Sequence, residues 1–193
     1  MKRLNFISHQ IVTTILLILS VVINLSLAYC LWENRKAYFE LGNAIEYDKG
    51  VLPGEKVPPL IVYDSTRGKV EISYRDKPTI LYVFTPDCPW CLKNLENIKL
   101  LASRVSDRYA FFGISLKNDN LDKYVTENGI HFPVYNSPPK DIYRSYKMGQ
   151  TPQTFVISSE GSVITTWKGA FAGETKKEIE EFFGVGLLEI KRE

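Results

Sequence analysis

The chain has 193 residues, a length that suits one ordinary domain with an appendage. Hydrophobic residues make up 45% of it and charged residues 24%, as in globular proteins. The net charge is only +2, and neither a basic stripe nor a low-complexity tract is present. This composition argues against a nucleic-acid-binding protein.

An apolar segment dominates the N-terminus. Ile11 to Leu31 contains no charged residue, and about twenty residues suffice to cross a bilayer as a helix. Lys2 and Arg3 precede the segment and favour a cytoplasmic N-terminus. We therefore predict a cytoplasmic N-terminus (1–10), a single-pass transmembrane signal anchor in the lipid bilayer (11–31) and a stem or linker (32–54).

Two other interpretations of this segment stay open. A cleaved signal peptide would have a shorter apolar region than this one, and no clear A-x-A cleavage site follows. Leu27-Ala28-Tyr29-Cys30 loosely resembles a lipoprotein motif, although Tyr29 stands where that motif has a small residue. All three interpretations place the residues after about 35 outside the cytoplasm, facing a periplasm or a bacterial cell exterior.

The remaining sequence alternates short apolar runs with helical patterns, which predicts one mixed sheet with helices on both faces. The expected strands are 60–63 and 69–72 (a hairpin), 79–84, 110–116, 154–157 and 163–168, with a short extended piece at 132–135. The expected helices are 92–105, 121–128, 139–146 and 174–183. We predict an α/β domain over residues 55–187, followed by a tail at 188–193.

Cys88-Pro89-Trp90-Cys91 stands between the predicted strand 79–84 and the helix that follows it. The first cysteine would then lie among free N–H groups at the positive end of a helix, which favours its thiolate. The second lies one turn further on and can attack a mixed disulfide. The pair therefore predicts dithiol redox catalysis, with Cys88 as nucleophile and Cys91 as resolving thiol.

A structural metal site and an inert disulfide fit this pair less well. Structural zinc takes four Cys or His ligands, and Cys30, His9 and His131 show no paired spacing with the motif. A disulfide between Cys88 and Cys91 would close a very small loop and remove little entropy from the unfolded chain. We expect no metal ligands, and the extracytoplasmic location suits disulfide chemistry.

Taken in order, these motifs resemble the thioredoxin superfamily and, within it, the membrane-anchored TlpA-like (ResA-like) thiol–disulfide oxidoreductases. The resemblance covers about residues 55–185. Residues 84–91 match the active-site segment of that family, 148–157 match the segment with its cis-proline, and 160–163 match the next hairpin. The resemblance implies a thioredoxin-like fold with an extra N-terminal β-hairpin.

The resemblance also assigns supporting residues. The Thr151–Pro152 bond would be cis and would place the Thr151 backbone against the cysteines, where an extended substrate chain can pair with it. Pro89 and Trp90 separate the cysteines, and Trp90 would contact the substrate or tune the redox potential. Two positions depart from the family: Tyr82 replaces a buried Asp of thioredoxin, and Asn94 replaces a Glu of some members.

The implied function is reduction of protein disulfides, for example in cytochrome c or metalloprotein maturation. A membrane thiol donor would restore the dithiol, and no organic cofactor is needed because the cysteines carry the electrons. One alternative is a peroxiredoxin-like peroxidase, which Thr85-x-x-Cys88 fits but Leu81 does not. Another is a copper or assembly chaperone that uses the soft thiols as ligands.

Overall fold

The computed structural model describes residues 2–64, 68–136 and 138–190, apart from the side chains of 2–13 and 39–49. The predicted hairpin turn at 65–67 and the last tail residues, 191–193, lie outside the described part. The chain forms two compact units, Met1–Tyr47 and Asp48–Glu193.

The first unit belongs to one helix, α1 (Lys2–Lys49). The helix runs without interruption through the predicted anchor and most of the predicted stem. Within the described side chains, Thr14–Tyr38 is the segment long and apolar enough to cross a bilayer, and none of it is buried. An apolar helix without protein packing is what a lipid-facing segment requires.

The second unit is a seven-stranded sheet flanked by helices. Its strands are β1 (Leu60–Asp64), β2 (Gly68–Ile72), β3 (Thr79–Phe84), β4 (Ala110–Ser115), β5 (Val134–Asn136), β6 (Gln153–Ile157) and β7 (Val163–Lys168). Its helices are α2 (Pro89–Lys93), α3 (Leu95–Val105), α4 (Leu121–Glu127), α5 (Lys140–Ser145) and α6 (Gly173–Phe183). The strand order is β2-β1-β5-β4-β3-β6-β7, and only the β3–β4 and β4–β5 pairs are parallel. The predicted mixed sheet with an added hairpin is confirmed.

Strand β3 lies at the centre of this sheet and carries the motif at its end. All six of its residues are buried, between the parallel strand β4 and the antiparallel strand β6. Its even-numbered side chains pack under α3 and α6, whereas Leu81 and Val83 pack in the core on the other face, which α5 covers. Burial on both faces explains the unbroken apolar run and gives the motif a rigid support.

The structure differs from the prediction in the helix after the motif. We expected one helix over 92–105, but α2 and α3 are separate and meet at Asn94. Asn94 is fully buried, and its Oδ1 accepts a hydrogen bond from the N–H of Phe171 over 3.0 Å. This long-range contact fixes the break, and the apolar spacing of the helix does not reveal it.

Hydrogen bonds attach both ends of the sheet domain to its body. The compact unit begins before residue 55, because Val51 is buried and the Gly54 N–H donates to the Val163 carbonyl over 2.8 Å. Leu188, the first residue of the predicted tail, exchanges two hydrogen bonds with the Asn97 side chain.

Candidate active site

The two cysteines lie where β3 leads into α2. Cys88 directly precedes the first turn of α2, with an extended backbone (φ −81°, ψ 115°), and Pro89 occupies the first turn. Proline suits this position because the first N–H groups of a helix have no acceptor within the helix. The N–H of Cys91 donates a hydrogen bond to Cys88 Sγ over 3.2 Å. This bond holds the Cys88 sulfur at the N-terminal end of α2.

Access to solvent distinguishes the two free thiols. Cys88 is partly exposed, whereas Cys91 is only 1% exposed. Burial is the main cause that raises the pKa of Cys91 to about 12, and the neighbouring Cys88 raises it further. Hydrogen bonds with Thr85 and Thr151 act in the opposite direction. Cys91 therefore stays a thiol at neutral pH, and an incoming disulfide meets Cys88 first.

The Thr151–Pro152 peptide bond is cis, as the resemblance implies. Cys88 Sγ donates to the Thr151 carbonyl over 3.5 Å, so the backbone before the proline lies directly against the nucleophile. Pro152 is buried, whereas Thr151 is partly exposed. An extended chain that approaches Cys88 can pair with this exposed backbone as an added strand.

A groove of about 530 Å³ opens beside Cys88 and the cis-proline. Its lining residues are Trp90, Thr151, Pro152, Gly169, Ala170, Ala172 and Thr175. Trp90 is 46% exposed, and Lys93 Nζ lies 5.2 Å from the centre of its ring. The predicted support residues Trp90, Thr151 and Pro152 therefore border one groove, next to the cysteines.

The opposite wall of the groove is a short loop after β7 that the sequence did not reveal. Gly169 donates its N–H to the Pro152 carbonyl over 2.8 Å, and Phe171 donates to Asn94 Oδ1. The Phe171 side chain is fully buried and anchors the loop. Small residues that follow a strand carry no motif, so only the three-dimensional contacts identify this wall.

Lys117 is a second neighbour of the site that the sequence did not reveal. It forms an ion pair with Asp87, the residue before Cys88. The hydrogen bond from Lys117 is the main cause that lowers the pKa of Asp87. Both side chains are more than half exposed, so the pair contributes little to stability. It does offset the negative charge that Asp87 places beside the nucleophile.

The described residues contain no cluster of three or more His, Cys, Asp or Glu that could hold a metal ion. The polar groups near the cysteines are the backbone of Thr85, the carbonyl and side chain of Thr151, and the hydroxyls of nearby tyrosines. This arrangement can exchange thiols and disulfides.

Comparison with known proteins places this site in a family. The model of the AhpC/TSA family matches residues 53–182, which include both cysteines and the cis-proline. The chain belongs to this family. Its thioredoxin-like fold and its resemblance to ResA-type proteins, both predicted from the motifs, are confirmed.

Similar proteins have been named for thiol–disulfide chemistry. The chain is 24% identical to the sporulation thiol-disulfide oxidoreductase A of Bacillus subtilis over 132 residues, which cover 65% of this chain and 80% of the relative. It is 25% identical to the thiol-disulfide oxidoreductase ResA of Bacillus cereus over 134 residues, which cover 67% of this chain and 75% of the relative. A thioredoxin-like protein of Haemophilus influenzae is 28% identical over 116 residues, which cover 57% of this chain and 67% of the relative.

Solved structures share the fold. A protein described as the thiol:disulfide interchange protein DsbE of Chlorobium tepidum matches with a TM-score of 0.59 and 20% identity, covering 69% of this chain and 95% of its own. StoA of Bacillus subtilis matches with a TM-score of 0.54 and 21% identity, and the match covers 66% of this chain and 98% of the solved chain. In both cases the match spans nearly the whole solved chain.

Proposed function

We propose that this protein is a membrane-anchored, extracytoplasmic thiol–disulfide oxidoreductase that reduces protein disulfides through Cys88 and Cys91. The observation that carries the proposal is the asymmetry of the pair beside the cis-proline. An accessible thiol touches the Thr151 carbonyl, and a buried thiol with a raised pKa lies one turn away. The names of the relatives support the same chemistry.

The reaction follows from these positions. Cys88 attacks a substrate disulfide, a Cys88–substrate disulfide forms, and the other substrate sulfur leaves and gains a proton. Cys91 loses its proton and attacks Cys88 Sγ, which breaks the mixed disulfide. Two electrons pass to the substrate, and the enzyme is left with a Cys88–Cys91 disulfide. No organic cofactor takes part in this scheme.

The groove beside Cys88 is the proposed substrate site. Thr151 would pair with an extended substrate segment, Pro89 and Trp90 would shape the contact, and small residues on the far wall would leave room for side chains. The substrates proposed from the resemblance are cysteine pairs of proteins that await haem or metal insertion. A membrane thiol donor would restore the dithiol after each turnover.

The first test compares cysteine variants of the full-length chain in detergent. We expect Cys88→Ser to lose insulin-disulfide reduction down to the uncatalysed rate, because no other exposed thiol lies beside the cis-proline. Cys91→Ser should instead accumulate a mixed disulfide with substrate, since the attack on the substrate needs only the first thiol. Cys30→Ser, in the apolar helix, is the matched control and should keep full activity.

Two results would contradict this function. Full insulin reduction by Cys88→Ser would remove the nucleophile from its proposed role. Turnover that depends on peroxide, without exchange on protein disulfides, would favour the peroxidase alternative.

The direction of electron flow is tested by the reduction potential of the Cys88–Cys91 pair. We expect equilibration with dithiothreitol or glutathione to give roughly −270 mV or lower, near thioredoxin, as suits a reductase. The Cys30→Ser background keeps the third thiol out of the measurement. A value near roughly −120 mV would make the protein an oxidant that donates disulfides, and would reverse the proposed direction.

A further inference from the structure

Two buried side chains near the motif each carry a polar group without a hydrogen-bond partner. Tyr82 is 3% exposed and Asn94 is fully buried. Within the described part of the chain, neither the Tyr82 hydroxyl nor Asn94 Nδ2 has a partner in hydrogen-bond geometry. A buried donor without a hydrogen bond lowers the stability of the fold. The position of these two donors near a reacting thiol therefore calls for an explanation.

Both residues lie in the neighbourhood of Cys91. Tyr82 is on β3 and packs in the same core cluster as Cys91. Asn94 follows Cys91 by three residues, at the end of α2. Because Asn94 Oδ1 accepts the N–H of Phe171, the orientation of the amide is fixed and its NH₂ group is the end left without a partner.

The two tyrosines near Cys91 are neutral at physiological pH. Burial is the main cause that raises the pKa of Tyr82, and Cys91 raises it further, while the adjacent Asn94 amide lowers it. Burial, Cys91 and Cys88 likewise raise the pKa of Tyr124, on α4, to about 12. The buried polar residues of the described chain include no Asp or Glu. The Tyr82 hydroxyl therefore keeps its proton and can donate it in a hydrogen bond.

We propose that the Tyr82 hydroxyl and the Asn94 side-chain amide donate hydrogen bonds to Cys91 Sγ as it becomes a thiolate in the release step. The proposal rests on the function proposed above and identifies what assists its second half-reaction. The Cys91 proton passes to a solvent base, the Cys91–Cys88 bond forms, and the Cys88–substrate bond breaks. The substrate sulfur leaves as a thiolate and takes a proton from solvent.

This arrangement sets the pH dependence of release. With no buried carboxylate to accept the proton, the thiolate fraction of Cys91 rises about tenfold for each pH unit below its pKa. The neighbours from α2, β3 and α4 are Cys88, Tyr82 and Tyr124, and the charged Asp87–Lys117 pair is solvent-exposed. The logarithm of the release rate should therefore rise with pH with a slope near one.

The test is a single-turnover reaction of the reduced full-length Cys30→Ser chain with 5,5′-dithiobis(2-nitrobenzoate). Attack by Cys88 liberates the first thionitrobenzoate, and attack by Cys91 on the mixed disulfide liberates the second. We expect Tyr82→Phe to leave the first rate unchanged and to slow the second about tenfold, the effect of losing one hydrogen bond to a charged group. Tyr109→Phe, a hydroxyl deletion in a residue that packs edge-on against Phe183, is the matched control and should change neither rate.

Tyr82→Phe should fold, because the hydroxyl that it removes has no partner in the dithiol state. Tyr82→Phe with a second phase as fast as that of the parent chain would overturn the proposal.

The pH profile distinguishes a hydrogen-bond donor at Tyr82 from a proton acceptor. We expect the logarithm of the second rate of Tyr82→Phe to rise with pH at the same slope as in the parent chain. The rate itself should be lower at every pH. A slope that differs between the two would show a proton acceptor rather than a donor. If the parent chain never releases the second thionitrobenzoate, the proposed function itself fails, which distinguishes the two failures.

Discussion

Two thiols three residues apart differ in reactivity because one turn of helix takes them from the surface into the core. Cys88 is partly exposed, accepts the N–H of Cys91 and touches the Thr151 carbonyl. Cys91, one turn further on, is only 1% exposed, and burial raises its pKa to about 12. The order of the two half-reactions follows from this difference, since only a thiolate attacks.

The difference in exposure between Cys88 and Cys91 predicts that the two thiols are alkylated one after the other. In the reduced Cys30→Ser chain at pH 8, we expect iodoacetamide to modify Cys88 and to leave Cys91 unmodified, because Cys91 remains a buried thiol. Mass spectrometry after proteolysis would locate the label. Unfolding the same chain in guanidinium should expose both cysteines to equal modification. Equal labelling of both in the folded chain would contradict the raised pKa.

The same pKa has a consequence for stability. The ordinary pKa of a cysteine thiol is 9.0, and folding raises that of Cys91 to about 12. Above pH 9 the unfolded chain loses this proton more readily than the folded one, so the free energy of unfolding falls as pH rises towards 12. Below pH 9 both states keep the proton, and the stabilisation is fully present.

At the level of elements, sequence predicts the regular parts of this fold and misses its long-range contacts. Strand β3 could be predicted because burial on both faces leaves an unbroken apolar run. The break at Asn94 could not, because its partner, Phe171, lies in a loop far along the chain. Lys117 was missed for the same reason, since only folding brings it to Asp87.

In the candidate site too, the sequence predicts the residues with a local motif and misses those placed by long-range contacts. The motif and the proline segment each have a local signature, so Cys88 and Cys91 were predicted from their spacing, and Thr151 and Pro152 from the family resemblance. The groove wall after β7 has none, because glycine and alanine residues there act through their small size and their backbone. Its position depends on hydrogen bonds to Pro152 and Asn94, and both are contacts between distant segments.

At the scale of the whole molecule, the chain combines an exposed apolar helix with a thiol–disulfide oxidoreductase domain, and protein disulfides persist outside the cytoplasm. The helix segment Thr14–Tyr38 has the length and composition to cross a bilayer. Lys2 and Arg3 precede it, and basic residues favour the cytoplasmic side. An anchor of this orientation would keep Cys88 away from the cytoplasmic glutathione pool.

This topology predicts how the full-length chain behaves when it is expressed in a bacterial host. We expect the protein to stay in the membrane after alkaline carbonate extraction, because an apolar span of this length inserts stably. Protease added to intact spheroplasts should digest the sheet domain, and a cytoplasmic protein followed in the same sample should stay intact. Intact mass would then distinguish the three interpretations of the N-terminus: an unchanged chain for an anchor, loss of the apolar segment for a cleaved signal, and a lipid adduct on Cys30 for a lipoprotein. A sheet domain protected in spheroplasts and digested only after lysis would contradict the proposed orientation, and with it the supply of electrons from a membrane donor to the outer side.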